Sequence, residues 1–372
     1  MPYKILITGG AGFIGSHLAH EMVKAGHKVR VLDCFLPQVH GGNDKLPEFI
    51  KEDVELIRGD VRSRRDLTAA LKDIEVVFHL AASVGVGQSM YEIHSYVENN
   101  NLGTANLLQA LIERPVQKLV IASSMSLYGE GPYRDGEGRI RSDVRRSTDR
   151  LKRRHWNPID EQERELIPIP TPESKAPDLS SIYALTKYDQ ERMCLLVGKA
   201  YGMDTVALRF FNAYGRGQAL SNPYTGVLAI FASRLLNDKP PVIFEDGRQE
   251  RDFVHVSDVV QACRLAMDTP AAAGQSFNVG SGHHYQIQDV AKQMAEVMGK
   301  VHIGPEITGK YRVGDVRHCF ADISLARKVL GYEPKVELAQ GIEDLAEWLS
   351  AQQAEDRLQQ MQQELSSRGL AI

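Results

Sequence analysis

A tyrosine and a lysine four residues apart, Tyr183 and Lys187, are the side chains whose spacing most directly allows chemistry. In a helix, positions four apart share a face, so the phenol and the ammonium group point the same way. An unperturbed tyrosine has a pKa of about 10, and a neighbouring positive charge lowers that pKa by favouring the phenolate. The pair therefore predicts a general base, although an amphipathic helix face produces the same spacing without any chemistry.

A serine-rich turn earlier in the chain supplies hydroxyl groups. The apolar run 119–122 has the composition of a buried strand, and Ser123-Ser124-Met125-Ser126 follows it directly. Ligands of open parallel sheets bind outside the carboxyl ends of the strands, which is where these hydroxyls fall. We expect Ser124 to share a hydrogen bond with a reacting oxygen and to help carry its proton.

Three glycines, Gly9, Gly12 and Gly15, stand between a short apolar run and a helical stretch. Glycine lets backbone amides approach a pyrophosphate, which then lies at the positive N-terminus of the helix. Asp33 follows Gly15 by 18 residues, at the end of the next apolar run. A carboxylate there accepts hydrogen bonds from ribose hydroxyls and repels a 2′-phosphate, so the spacing predicts NAD rather than NADP.

The elements that must position these groups alternate along the chain. Most strand candidates are apolar throughout, as expected of strands buried on both faces of a parallel sheet, and helix-length stretches such as 15–25 and 104–112 separate them. The pattern predicts an α/β fold, a Rossmann-type doubly wound parallel sheet with a smaller C-terminal α/β substrate-binding lobe. The strand candidates are residues 5–7, 29–32, 76–80, 119–122 and 206–210.

Composition narrows the class of protein. The chain has 372 residues, 43% of them hydrophobic and 25% charged, which suits a globular protein with a sizeable core. A formal net charge of −4 gives no general attraction to nucleic acid or to anionic membranes. Four scattered cysteines show neither a disulfide framework nor metal-ligand spacing, and no apolar run is long enough to span a bilayer. We expect a cytoplasmic protein without a metal site.

Two regions interrupt the strand–helix alternation. Residues 132–178 form a long polar segment that we expect to be a mobile, mostly solvated insert, with a substrate-side or subunit contact as the alternative. In the tail, Leu358, Met361 and Leu365 form a narrow apolar stripe that predicts a peripheral packing helix. The predicted divisions are an NAD-binding domain over 1–180, last sheet elements interleaved with a smaller lobe over 181–349, and a helical tail over 350–372.

These motifs resemble those of the extended short-chain dehydrogenase/reductase family, in particular its nucleotide-sugar epimerases and dehydratases, and they run from Gly9 to about Tyr332. The resemblance implies an NAD-dependent enzyme in which Ser124, Tyr183 and Lys187 are catalytic. It also implies NAD contacts at Gly9, Gly12, Phe13, Ile14, Gly15, Asp33, Asp60, Val61, Leu80, Ala81, Ala82, Asn100, Tyr183, Lys187 and Phe211.

Later segments are similar to the family's nucleotide-sugar contacts, so the resemblance implies that the lobe over 181–349 binds the nucleotide sugar. Residues 209–215 resemble its R-x-F-N-x-Y-G run, and residues 247–256 and 312–315 resemble its two arginine segments. Arginine presents a planar fork of donors that suits phosphate oxygens. The resemblance implies a substrate site formed by Ser124, Ser126, Tyr183, Asn212, Asn222, Arg251, Arg312, Asp315 and Cys319.

The residues after Ser124 bear on the reaction. Related 4,6-dehydratases carry Asp and Glu where this chain has Met125 and Ser126, and UDP-glucuronate decarboxylases carry Glu at the position of Ser126. The missing acids favour a 4-epimerase, which inverts carbon 4 through a transient 4-keto sugar with Tyr183 as acid and base. A dehydratase, decarboxylase or reductase of the same family stays open, and so does a non-catalytic NAD-binding sensor.

The sugar is less constrained than the reaction. Cys319 stands where a tyrosine narrows the sugar pocket of UDP-galactose 4-epimerases, so we expect a roomier pocket. The insert and the run 218–224 resemble the bacterial group that includes dTDP-L-rhamnose 4-epimerases, while UDP-glucose, UDP-galactose and UDP-glucuronate enzymes share the core motifs. The resemblance also implies a homodimer formed through helices near 97–112 and 182–201.

Overall fold

The computed structural model describes residues 2–220, 222, 224, 226–312, 314–352 and 355–371. The strands are β1 Lys4–Thr8, β2 Lys28–Asp33, β3 Glu55–Arg58, β4 Val76–His79, β5 Lys118–Ser124, β6 Tyr133–Arg134, β7 Ile140–Arg141, β8 Ile167–Pro168, β9 Asp204–Phe210, β10 Asn212–Tyr214, β11 Val242–Ile243, β12 Glu250–Arg251, β13 Phe253–His255, β14 Ser276–Val279, β15 Tyr285–Gln286, β16 Glu306–Ile307 and β17 His318–Cys319.

Helices lie between most of these strands. The α-helices are α1 Phe13–Lys24, α2 Pro37–His40, α3 Arg64–Ala70, α4 Val86–Ser89, α5 Ile93–Tyr96, α6 Gly103–Glu113, α7 Thr148–Lys152, α8 Ile182–Tyr201, α9 Val227–Leu236, α10 Val256–Asp268, α11 Ile287–Val297, α12 Ser324–Leu330, α13 Leu338–Leu349 and α14 Leu358–Ser367. A π-helix, Val97–Leu102, joins α5 to α6, and short 3₁₀ turns span Glu48–Ile50, Met125–Tyr128 and Pro270–Ala272.

The main sheet has seven parallel strands in the order β14-β9-β5-β4-β1-β2-β3. The chain runs outward from β1 in one direction through β2 and β3, and in the other through β4 and β5. The order therefore reverses between β1 and β4, and this is the point at which doubly wound folds bind their ligands. The predicted Rossmann-type α/β class is confirmed, and all five predicted strands lie in this sheet.

Apolar side chains cover both faces of the sheet. On one face α1 and α10 pack through residues such as Leu18 and Val259. On the other face α3, α6 and α8 pack through residues such as Leu67, Leu107 and Cys194. Burial on both faces is the reason why these strands read as continuous apolar runs rather than as alternating ones.

A second lobe has its own core and is built from later parts of the chain. Helices α9, α11 and α13 bury one another's apolar faces, with contributions from Leu228, Val290 and Ile342. Small sheets join β11 to β16 and place β12 between β15 and β17. The chain leaves the main sheet after β9, enters this lobe and returns to the sheet at β14, so the two lobes are interleaved.

The polar segment 132–178 is folded, which corrects the expectation of a mostly solvated insert. Strand β6 pairs antiparallel with β7 on one side and with β8 on the other. Tyr133 is fully buried, and Leu151 and Trp156 form a small core with Tyr311 of the second lobe. Burial of these aromatic rings anchors a segment whose charged composition suggested a solvated loop.

The tail ends in α14, whose Leu358, Met361 and Leu365 are buried against Tyr224, Ile230 and neighbouring apolar groups. The predicted peripheral packing helix is confirmed. None of the helices in the described part of the chain has the length and apolar composition that a membrane crossing requires.

Candidate functional site

One cavity of about 670 Å³ runs along the carboxyl ends of the strands and continues into the second lobe. It brings together almost all of the residues that the sequence singled out. Those that line it are Gly9, Gly12, Phe13, Ile14, Gly15, Asp33, Asp60, Val61, Leu80, Ala81, Ala82, Ser124, Ser126, Tyr183, Lys187, Phe211, Asn212, Asn222, Arg251, Arg312 and Asp315.

The glycine turn requires glycine for steric reasons. Gly9 has a φ of +70°, and a Cβ atom there would lie 2.8 Å from the backbone nitrogen of Ala81. Gly12 is the N-cap residue of α1. Because it has no side chain, nothing of it covers the first N–H groups of the helix. The turn therefore leaves the positive end of α1 open to the cavity, as a dinucleotide pyrophosphate needs.

Two carboxylates follow the next strands along the sheet. Asp33 accepts hydrogen bonds from the backbone nitrogens of Ala11, at 3.0 Å, and Phe35, at 2.9 Å, which fix its orientation. Burial would raise the pKa of Asp60, but the hydrogen bonds from Arg62 outweigh burial and lower it. An acidic group at the end of β2 beside a glycine-lined helix N-terminus fits the ribose and pyrophosphate of NAD.

Tyr183 lies in the first turn of α8, where the hydroxyl of Ser181 caps the helix by accepting from the backbone nitrogen of Ala184 at 3.1 Å. Ser124, at the end of β5, lies close enough to the phenol of Tyr183 to favour the ionised form by hydrogen bonding. Ser126 in turn donates to the Ser124 hydroxyl over 2.9 Å. The helix start and the strand end thus bring a phenol and two alcohols together at the cavity wall.

Burial governs the protonation of the Tyr–Lys pair. Desolvation raises the pKa of Tyr183, and the hydrogen bond with Ser124 offsets part of that rise. Desolvation also lowers the pKa of Lys187 to about 8. The ammonium group of Lys187 donates to Gln190 over 2.8 Å, so the expected lowering of the tyrosine pKa by this lysine is not found in this arrangement.

A chain of uncharged groups continues behind Lys187; we call it the neutral network. Gln190 donates to the hydroxyl of Thr104 over 2.7 Å. The ring nitrogens of His79 lie 2.9 Å from Thr104 and 2.7 Å from Thr8. Burial, and to a smaller extent the nearby charge of Lys187, lower the pKa of His79 to about 3. The imidazole is therefore neutral at physiological pH, between two hydroxyl groups.

Arginines line the opposite end of the cavity. Arg312 donates to the carboxylate of Asp315 over 2.8 Å and lies 4.8 Å above the ring of Phe244. Arg251 lies 3.6 Å from the same carboxylate and donates to the carbonyl oxygen of Arg317 over 2.9 Å. Burial alone would raise the pKa of Asp315, but these two cations outweigh burial and lower it.

Behind this end lies a charged cluster, the ionic network, which connects the insert to the second lobe. Arg146 of the insert donates to the carbonyl oxygen of Asp315 and to the carboxylate of Glu245, each over 2.6 Å. Arg317 also donates to Glu245, at 3.0 Å. Glu130 accepts from the backbone nitrogen of Arg317 over 2.9 Å. The insert therefore helps to hold Asp315, which orients both cavity arginines.

Two predicted site residues do not line the cavity. Asn100 is buried, where its amide donates to the carbonyl oxygen of Ser83 at 3.1 Å and to the hydroxyl of Thr186 at 2.9 Å. Cys319 is buried in β17, and its sulfur lies 3.6 Å from the hydroxyl of Thr171. The expectation that Cys319 widens the sugar pocket is corrected, because its side chain faces the core. Ser221, Pro223 and Val313, which belong to the quoted motifs, lie outside the described residues.

Several functional candidates escaped the sequence analysis. Gln190 stands three residues after Lys187, a helical spacing that could have identified it. Arg146 carried no such signal, since it lies within a run of basic residues. The stripe on α14 was recognised as a packing face, but nothing in its spacing indicated that it borders the cavity.

Comparison with known proteins identifies the family. The sequence profile of the family described as "NAD dependent epimerase/dehydratase family" matches residues 5–148 and 161–280. The chain is a member of this family. Membership confirms NAD as the cofactor, in agreement with the glycine turn and Asp33.

Similar proteins span nearly the whole chain. A dTDP-L-rhamnose 4-epimerase of Burkholderia thailandensis is 34% identical over 352 residues, covering 93% of this chain and 95% of the relative. A UDP-N-acetyl-alpha-D-glucosaminuronate decarboxylase of Bacillus cytotoxicus is 30% identical and covers 94% and 98%. The UDP-glucose 4-epimerase of Thermotoga maritima, solved with UDP-glucose, superposes with a TM-score of 0.75 at 29% identity, covering 93% and 98%. The chain is thus an enzyme of the nucleotide-sugar epimerase and dehydratase type.

Proposed function

We propose that the protein is a nucleotide-sugar 4-epimerase acting on a hexose carried by UDP or dTDP. The observation that supports this most strongly concerns the carboxylates of the cavity. Among the described residues that line it, the carboxylates are Asp33 and Asp60, which follow β2 and β3, and Asp315, which is paired with arginines. Beside Ser124 stand Met125 and Ser126, which cannot exchange protons with carbons 5 and 6 of a sugar as a dehydratase must.

Proton transfer at one oxygen is sufficient for epimerisation. Bound NAD would supply a reversible acceptor for the hydrogen on carbon 4. Tyr183, as phenolate, takes the proton from the carbon 4 hydroxyl and later returns it, and Ser124 hydrogen-bonds the same oxygen. Burial disfavours the phenolate, and the interaction with Ser124 favours it. No further acid or base is required.

The arginine end of the cavity suits the anionic part of such a substrate. Arg251 and Arg312 present fixed guanidinium groups, and Asn212 is held nearby by a hydrogen bond of 2.9 Å to the carbonyl oxygen of Asp252. Cations that are already oriented by Asp315 bind a diphosphate without losing much side-chain freedom. We infer that these three residues hold the diphosphate while the sugar reaches Tyr183.

The dTDP-linked 6-deoxyhexoses are the first substrates to test, because the relative from Burkholderia thailandensis acts on one of them. Purified protein is incubated with a panel of UDP- and dTDP-sugars, and NMR records the configuration at carbon 4. We expect inversion at carbon 4 with the carbon skeleton intact. Release of carbon dioxide would establish the decarboxylase alternative that the Bacillus relative raises, and stoichiometric NAD binding without any turnover would support a sensor.

A homodimer is also proposed. The π-helix Val97–Leu102 lies against α8, and both leave apolar side chains exposed: Val97 and Leu102 on the former, Leu185 and Leu196 on the latter. Exposed aliphatic groups on adjacent helices favour burial in a subunit interface. Light scattering is expected to give twice the chain mass, and Leu196→Glu is expected to shift the protein toward monomer. A cytoplasmic location remains a prediction, supported by four unpaired cysteines.

A further inference from the structure

The C-terminal helix α14 forms an outer wall of the cavity. Leu358, Met361 and Leu365 are buried and border it, and Leu370, just beyond the helix, does the same. These spacings of three and four residues put one apolar stripe of the helix toward the cavity. The C-terminal segment therefore lines the cavity as well as packing on the outside of the protein.

One carboxylate on this helix joins the two halves of the molecule. Glu364 accepts hydrogen bonds from the phenols of Tyr91, at 2.7 Å, and Tyr224, at 2.5 Å. Tyr91 precedes α5 on the cofactor side, whereas Tyr224 belongs to the segment that leads into α9 of the second lobe. The guanidinium of Arg368 lies 4.2 Å above the ring of Tyr91 and adds a second contact to the cofactor side.

The segment reaches groups near both ends of the site. A Cβ atom at Gly87, in α4 beyond the end of β4, would lie 3.2 Å from Leu365, so the helix packs closely on that turn. At the other end, Ala371 forms a backbone bridge with Arg312. The segment 358–371 therefore spans the cavity from the turn near the cofactor to an arginine of the proposed diphosphate site.

The polar attachments within the segment 358–371 are of a kind that can open. The helix has ten residues, too few to be stable alone, so its structure depends on what it packs against. Asp356, just before the helix, is a buried anchor that pairs with Arg234 at 3.1 Å and with Lys239 at 2.9 Å. On the helix itself, Glu364 is half-buried and Arg368 is exposed. Partly exposed ion pairs and hydrogen bonds contribute little free energy each. A ligand beneath the apolar stripe would add contacts that favour the position in which α14 covers the cavity.

We propose that the segment 358–371 is part of the substrate site: it covers the bound nucleotide sugar, and its apolar stripe helps to select the ligand. This inference rests on the proposed function for the identity of the ligand class, a nucleoside diphosphate sugar. Glu364 is a positioning residue in it, because it holds the helix across the cavity through the two phenols.

Kinetics of single variants test the wall. Leu365→Ala and Met361→Ala are expected to raise KM for a nucleotide sugar that the wild type converts by about fivefold to tenfold, with kcat changed by less than about twofold, because they remove contacts made equally in ground and transition states. Glu364→Gln is expected to raise KM in the same way. Gln363→Ala, on the exposed side of the same helix, is the control and should leave both constants unchanged. A KM that stays at the wild-type value in all three variants overturns the proposal.

A second measurement does not need turnover. Hydrogen exchange of residues 358–371 is followed in the full-length protein without ligand, with UDP and with dTDP. Slower exchange in this segment with either nucleotide is expected, and equal exchange in all three conditions overturns the inference. If the wild type converts no nucleotide sugar, the proposed function fails, and this exchange experiment alone then decides the role of the segment.

Discussion

The two ends of the cavity are backed by buried polar groups of opposite character. Behind Lys187, the neutral network of Gln190, Thr104, His79 and Thr8 carries no charge beyond the lysine itself. Behind the arginine end, the ionic network joins the guanidinium groups of Arg146 and Arg317 to three carboxylates, those of Glu130, Glu245 and Asp246. Under the proposed function, one end adjusts a proton and the other holds a doubly charged diphosphate.

This difference predicts different sensitivities. Removing one partner from a buried ion cluster leaves an uncompensated charge, which is costly at any pH near neutrality. A chain of neutral hydrogen bonds tolerates neutral replacements better but fails when one member is forced to take up a proton. The following variants separate these behaviours, beginning with the largest effect.

Tyr183→Phe removes only the phenol oxygen, which lies at the end of the cavity backed by the neutral network and which exchanges a proton in the proposed reaction. We expect turnover to fall by about a thousandfold or more, because proton transfer at the sugar loses its acid and base. NAD content, measured by absorbance after denaturation, should match the wild type. Tyr188→Phe on the same helix is the control, and activity close to wild type in Tyr183→Phe would contradict the assignment.

Arg146→Met tests the ionic network. We expect it to lower the free energy of unfolding by about 3 kcal/mol, since Glu245 is left buried with one cation fewer. The neighbouring Arg145 is largely exposed, and Arg145→Met should cost less than about 0.5 kcal/mol. Urea denaturation compares the two, and equal losses would show that the insert is not held by this cluster.

His79→Gln tests how far the neutral network makes the stability of the protein depend on pH. Because the pKa of His79 is lowered to about 3, the unfolded chain binds more protons than the folded protein between about pH 6.5 and pH 3, and stability is lost as the pH falls through that window. From pH 7 to pH 4.5 this one group should cost about 2.5 kcal/mol. The glutamine variant should show a correspondingly smaller loss by denaturant titration at the two pH values. The same loss in His79→Gln and in the surface variant His94→Gln would remove His79 as the cause.

Asp33→Asn gives the smallest expected effect and concerns the cofactor end. The amide oxygen can still accept from the backbone nitrogen of Ala11, but the amide nitrogen cannot accept from that of Phe35, so the charge and one hydrogen bond are removed. We expect NAD to bind about tenfold more weakly and discrimination against NADP to relax, because the repulsion of a 2′-phosphate is lost. Calorimetric titration with both dinucleotides measures this. An unchanged ratio of the two affinities would exclude Asp33 from cofactor selection.

The sequence predicted the elements that obey local rules. Strand β1, the glycine turn and α1 follow one another within 24 residues, and α8 begins at a serine cap just before Tyr183, so spacing alone located these groups. Strand β14 was not predicted, because only its pairing with β9 identifies these four residues as a strand. A run of four residues is too short to show the hydrophobic periodicity by which a strand is recognised in a sequence.

Side-chain contacts between residues far apart in the chain could not be predicted from the sequence either. The insert reads as polar because its arginines and acids are many, yet Arg146 is buried through partners that lie up to 169 residues away in sequence. Cys319 was placed at the sugar by analogy, whereas the register of β17 turns its sulfur to Thr171. The ends of elements could be predicted from local chemistry, while the direction of a buried side chain depended on tertiary contacts.

The position of β14 at the edge of the main sheet has a consequence for how the protein acquires its shape. During synthesis the first 210 residues, which carry the other six strands, emerge before the strand that completes their sheet, since β14 follows both α9 and α10. The edge of β9 stays open until that strand arrives. We therefore expect the two lobes to fold as one cooperative unit, and we expect that cutting the chain at a single point yields neither lobe as an independently stable fragment.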